Sequence, residues 1–178
     1  MTTKDEINIF IVDDDKMLVK ALKNEIEKTF PKLNPVVTAF ESGEECQKSI
    51  SSKPTLAIVD YHLDSKIKNA MDGVKTIDMI KKHSPNTEVI MFTSEEKADV
   101  AVKAMHHGAH DYIVKNEHMF RKLNMSILQC LKLKDLKNEV SKSRIRVMIL
   151  LFIVVAIIAA VVALQIWAPG LMGKVDVK

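Results

Sequence analysis

The stretch Ile7-Asn-Ile-Phe-Ile-Val-Asp-Asp-Asp15 decides how this chain reads. Six residues dominated by β-branched and aromatic side chains run without a break into three carboxylates. A short apolar run of this kind is a buried strand when helical periodicity follows it. Helical periodicity does follow, over about 15–29, with Met17, Leu18, Ala21, Leu22 and Ile26 on one side. The pattern then repeats. Apolar runs stand at 35–40, 56–59, 89–92 and 111–114, separated by helical stretches at about 42–51, 73–83 and 95–107, with a further helix from about 117. Ser42 and Glu45 have capping-box spacing, and Pro85 and Gly108 stop the third and fourth helices. The expected fold is α/β, a doubly wound five-stranded parallel sheet covered on both faces.

Three other apolar runs also end on reactive groups: Leu56–Val59 on Asp60, Val89–Phe92 on Thr93, and Tyr112–Val114 on Lys115. In parallel strands these ends share one rim, where ligands of open α/β sheets bind. Adjacent carboxylates repel one another unless a cation neutralises them. Asp13, Asp14 and Asp60 offer an all-oxygen set suited to Mg²⁺ (or Mn²⁺). Asp60 is the candidate nucleophile, since carboxylates form aspartyl-phosphates. Thr93 can donate to a phosphoryl oxygen and Lys115 can pair with another.

These residues resemble bacterial two-component response-regulator receiver domains (CheY-like) over about 5–130. The motifs are Ile9–Asp15, Leu56–Asp60, Met71-Asp72-Gly73, Val89–Ser94 and Gly108–Lys115. The resemblance implies a flavodoxin-like strand order 2-1-3-4-5 and Asp60 as phosphoacceptor. It also implies Asp14, Asp60 and the backbone carbonyl of His62 as metal ligands beside Asp13. Thr93 and Tyr112 would be the switch residues and Lys115 the phosphate partner. The implied function is Mg²⁺-dependent phosphoryl transfer from a sensor histidine kinase or phosphotransfer protein. That transfer would switch protein–protein contacts, with no enzyme activity beyond self-phosphorylation and slow self-dephosphorylation. The alternative is a phosphorylation-independent, membrane-tethered adaptor or assembly subunit. Asp13-Asp14-Asp15 also suits haloacid-dehalogenase-type phosphatases, but Met17 stands where that motif wants Thr or Val, and the Asp60 strand fits only the receiver.

The chain departs from the receiver pattern in three places. The loop from Asp60 to Met71 is about five residues longer than usual, carries the charged stretch 64–70, and has Asp64 in place of a Pro. Asn116 replaces the Pro after the active-site Lys, so a cis step there, costing roughly 3 kcal/mol, is not expected. No DNA-binding domain is expected to follow.

Instead, Val147–Leu164 contains no polar residue, and Gln165 alone separates it from Ile166-Trp167-Ala168. Such a run predicts a transmembrane helix. Residues 1–130 carry a net −2 and residues 131–146 a net +4, so the basic cluster precedes the apolar run. The positive-inside rule then places the first domain in the cytoplasm, with a single pass through the inner membrane and the C-terminus outside. The expected division is a receiver at 1–130, a basic juxtamembrane helix at 131–146, a transmembrane helix at 147–168 and a tail at 169–178. Expected partners are the kinase or phosphotransfer protein, a membrane-proximal output protein and the bilayer, with no nucleic acid. A helix over 117–146 leaves open both a homodimer and a solvated stalk. Cys46 and Cys130 have no metal or redox spacing and are expected as reduced structural thiols. His106, His107 and His110 are expected at the surface rather than on a metal.

Overall fold

The computed structural model describes the backbone of residues 6–63 and 70–167; within the last helix, the side chains of 135–144, 146, 161 and 164–167 lie outside the description. The strands are β1 (Ile7–Val12), β2 (Pro35–Phe40), β3 (Leu56–Val59), β4 (Glu88–Thr93) and β5 (Asp111–Val114). They form one parallel sheet in the order β2-β1-β3-β4-β5. The helices are α1 (Lys16–Thr29), α2 (Gly43–Ser49), α3 (Gly73–His83), α4 (Ala98–His106) and α5 (Met119–Trp167).

Alternation along each strand builds two cores. Phe10 and Val12 of β1 face one way, with Ala57, Val59, Val89 and Met91, against Cys46 of α2, Ile77 and Ile80 of α3 and Ala104 of α4. Ile9 and Ile11 face the other way, with Ile58, Ile90, Phe92 and Ile113, against Leu22 and Ile26 of α1 and Leu123 and Ile127 of α5. Each fully buried Val, Leu, Ile, Phe or Met side chain among these contributes roughly 1.5–3 kcal/mol. All four β3 residues are buried, as befits the middle of a sheet covered on both faces. Both cysteines are free and buried, and burial pushes each thiol up to about 12.

Helix starts follow local chemistry. Asp15, Ser42 and Asp72 cap α1, α2 and α3 by accepting backbone N–H groups of the first turn. Gly108, at φ 97°, turns the chain out of α4. Two expectations need correction. Met17, expected on the apolar side of α1, is 78% exposed, because it lies in the first turn of α1, and the buried residues of that helix are Leu22 and Ile26. The fourth helix begins at Ala98 rather than about 95, because the backbone of Glu95 is engaged by Thr93 and Tyr112. Among the described residues there is no cis peptide bond.

The chain divides into two compact units, Met1–Leu131 and Lys132–Lys178. The transmembrane helix expected over 147–168 is not supported: among the described residues, no helix is long and apolar enough to cross a membrane. The 64–69 part of the loop insert and the expected tail at 169–178 lie outside the described residues.

Candidate functional site

The carboxyl ends of β1, β3, β4 and β5 bring Asp13, Asp60, Thr93 and Lys115 to one rim. The backbone fixes these ends to one another. Asp60 donates its N–H to Val12, Asp13 to Phe40, and Lys115 to the carbonyl of Thr93 at 2.8 Å.

Three consecutive aspartates take three different roles. Asp13 is buried; its Oδ1 accepts the N–H of Asp15 at 2.9 Å and its Oδ2 faces Lys115. Asp15 turns outward and caps α1, accepting from Met17 and Leu18. Asp14, partly buried, joins Asp13 and Asp60 in a cluster whose carboxylate oxygens lie within 4.8 Å of one another. Among the described residues this is the only cluster of three groups able to hold a metal ion. The histidines 106, 107 and 110 form no such group; His107 pairs with Asp78 at 2.7 Å.

Lys115 supplies the positive charge. Its Nζ donates to Asp13 Oδ2 at 2.9 Å and to Asp60 Oδ2 at 2.8 Å, and lies 5.8 Å from the centroid of the Phe92 ring. Burial works to lower the ammonium pKa, but the hydrogen bonds to Asp60 and Asp13 outweigh it, and the net shift is upward from 10.5. Burial raises the carboxyl of Asp13 above its ordinary 3.8, with Lys115 and the Asp15 N–H acting against it. For Lys115 the linkage is direct. A raised ammonium stabilises the fold fully below 10.5, and that contribution is lost as pH rises through the folded value. The stability difference between wild type and Lys115→Met is therefore expected to stay constant from neutral pH to about 10 and to shrink above it. Urea titrations across this range would show it; an undiminished difference at about pH 11.5 would refute it.

The other oxygen of Asp60 is distinctive. Asp60 Oδ1 is buried and has no hydrogen-bond partner. An orphaned carboxylate oxygen is costly unless something else is to occupy its lone pairs. Three clustered carboxylates, Asp60 with an unspent oxygen, fit a hard divalent cation.

Thr93 is fully buried, and its Oγ1 accepts the Glu95 N–H at 3.3 Å. Tyr112, partly buried, donates its hydroxyl to the carbonyl of Glu95, and burial together with the Glu95 charge raises its pKa. His62, two residues beyond Asp60, has an exposed side chain with Nε2 3.5 Å from Glu95 Oε2. Glu95 thus touches both Tyr112 and His62, yet no sequence motif singled it out. Phe92 beneath Lys115 was likewise legible only as a core residue.

The response regulator receiver domain family matches residues 9–127. The chain belongs to this receiver family. Among curated relatives, the receiver is 31% identical over 111 residues to a protein-glutamate methylesterase/protein-glutamine glutaminase of Thermotoga maritima, covering 61% of this chain and 30% of that one. It is 33% identical over 87 residues to the regulatory protein AtoC of Escherichia coli, covering 49% and 18%. A CheY-like receiver domain protein from Methanospirillum hungatei shares the fold at TM-score 0.65 and 24% identity, covering 75% of this chain and 99% of that one. The chain spans under a third of the first curated relatives' length.

Receiver domains take phosphoryl groups from histidine kinases and bind Mg²⁺ at an acidic pocket, and this receiver has the aspartate cluster for it. The expectation that the chain is not an enzyme is overturned. Several of its relatives are named as methylesterase/glutaminase enzymes, at about 30% identity over the receiver. The rim residues describe how a receiver is charged with phosphate and carry no information on chemistry elsewhere, so they gave no ground for excluding it.

Proposed function

We propose that this receiver takes a phosphoryl group on Asp60 and thereby changes its protein contacts in two-component signalling. The observation that carries the reading is Asp60 itself, with one oxygen held by Lys115, the other buried and unpartnered, and the carboxylate grouped with Asp13 and Asp14. The carboxylate attacks the phosphorus of a phosphohistidine, the P–N bond breaks, and the imidazole leaves and is protonated. A divalent cation bound by Asp14, Asp60 and the His62 carbonyl, beside Asp13, would neutralise charge on the transferring oxygens. Lys115 moves from Asp60 Oδ2 to a phosphoryl oxygen. Thr93 gives up the Glu95 N–H to donate to another, and Tyr112 loses its hold on Glu95 and fills the space. Two positions of Thr93 and Tyr112 biased by the phosphate make a population switch. Incubation with phosphoramidate and Mg²⁺ tests the reading: intact mass should rise by one phosphoryl group, and peptide mapping should place it on Asp60.

The reading extends to the membrane. Its support is the sequence: Val147–Leu164 without a polar residue, preceded by six basic residues between 132 and 146. From Val147 to Val155 the described side chains are at least half exposed, Phe152 at 77%. Confinement beside a bilayer would raise the effective concentration towards membrane-bound kinase and output partners. The full chain is expected to stay in the pellet on carbonate extraction, and a chain ending before Arg144 to be soluble and still accept phosphate. Full chain in the supernatant would end the membrane reading.

A further inference from the structure

The segment leaving β3 passes Leu63, and the described chain resumes at Ala70, three residues before α3. The return is held by side chains from elsewhere. Met71 donates its N–H to Glu44 Oε1 at 2.7 Å, a partly buried bond across 27 residues of sequence. Gly73 donates its N–H to the carbonyl of Tyr61 at 3.0 Å. That approach is so close that a Cβ on Gly73 would lie 2.2 Å from the carbonyl oxygen of Asp60. The first turn of α3 thus rests on the backbone of Asp60 and Tyr61, and Glu44 fixes the residue two places before it.

Glu44 and Glu45 share the first turn of α2 but divide the work. Glu45 Oε2 accepts the Glu41 N–H at 3.0 Å, just before the helix cap, while its own N–H donates to Ser42 Oγ at 3.2 Å. Glu44 is not needed for the cap, and its carboxylate is spent on Met71. A longer loop has more conformations to lose on closing, so its ends need firmer fixing. A charged acceptor on a backbone N–H is the stronger kind of hydrogen bond.

We propose that Glu44 is a positioning residue for Asp60: by holding Met71 it sets the return of the loop and, through Gly73 on Tyr61, the backbone that carries the phosphoacceptor. The proposal rests on Asp60 being that acceptor. Glu44→Ala in the full chain is expected to slow labelling by phosphoramidate on the order of tenfold, within the roughly hundredfold that an ångström of misplacement costs. Glu44→Gln keeps an amide oxygen that can accept the same N–H, and is expected to stay within about threefold of wild type. That rescue separates positioning from mere folding. The amide resonances of Met71, Gly73, Tyr61 and Asp60 should shift in Glu44→Ala and return in Glu44→Gln. Wild-type labelling in Glu44→Ala, equal slowing in both variants, or an unmoved Asp60 amide would each overturn the proposal. If wild type itself takes no phosphate, the functional reading fails, and the amide shifts alone decide whether Glu44 positions Asp60.

Discussion

Replacing Asp60 by Asn is expected to abolish phosphoryl uptake while leaving the domain folded. Asn keeps the shape of the side chain but replaces the anionic oxygen with a poor nucleophile. Stability should not suffer, because Lys115 retains Asp13 at 2.9 Å and the cluster loses one of its mutually repelling charges. Intact mass after phosphoramidate treatment should show wild type gaining one phosphoryl group and Asp60→Asn none, with the urea midpoint of the variant equal or higher. Undiminished labelling of Asp60→Asn would place the acceptor elsewhere and remove the basis of the functional reading. Loss of labelling together with loss of folding would be answered by Asp60→Glu, which keeps the charge and is expected to fold.

Replacing Lys115 by Met is expected to destabilise the chain by about 3 kcal/mol in the absence of divalent metal. The substitution leaves Asp13 and Asp60, with side chains only 3% and 8% exposed, without their shared counter-charge. Removing one member of a buried pair costs about 3–5 kcal/mol, and the lower end applies because Lys115 itself is 16% exposed. Added Mg²⁺ should restore much of this. A site filled at a hundred times its dissociation constant gains about 2.7 kcal/mol. The gain should be larger in the variant than in wild type, where the ammonium already neutralises the same carboxylates. Urea midpoints with EDTA and with Mg²⁺ measure both effects. Equal gains in the two proteins would show that the metal and Lys115 do not share those carboxylates.

Much of the receiver could be read from residues alone. Strands β1, β3, β4 and β5 follow from apolar runs that end on polar groups, because a buried parallel strand must be apolar throughout and change character where it leaves the sheet. Asp13, Asp14, Asp60, Thr93 and Lys115 were identified by standing at those ends. The start of α4 was not legible, since the residues that occupy the Glu95 backbone, Thr93 and Tyr112, lie on β4 and β5. The exposure of Met17 was missed because helical periodicity gives a face but not where along the helix the core stops.

The sequence by itself determined the order of strands and helices, the two-sided core and which reactive groups reach the rim, since each depends on local periodicity and on the chemistry of a strand end. Only the tertiary structure decided how those groups share their hydrogen bonds. Asp13-Asp14-Asp15 is one motif, but folding sends one carboxylate to Lys115, one to the cluster and one to a helix cap. Glu44 and Glu45 are neighbours of the same kind, and only packing sends one to Met71. A hydrogen bond between residues far apart in sequence depends on where packing brings donor and acceptor, and no pattern of residue types records that distance.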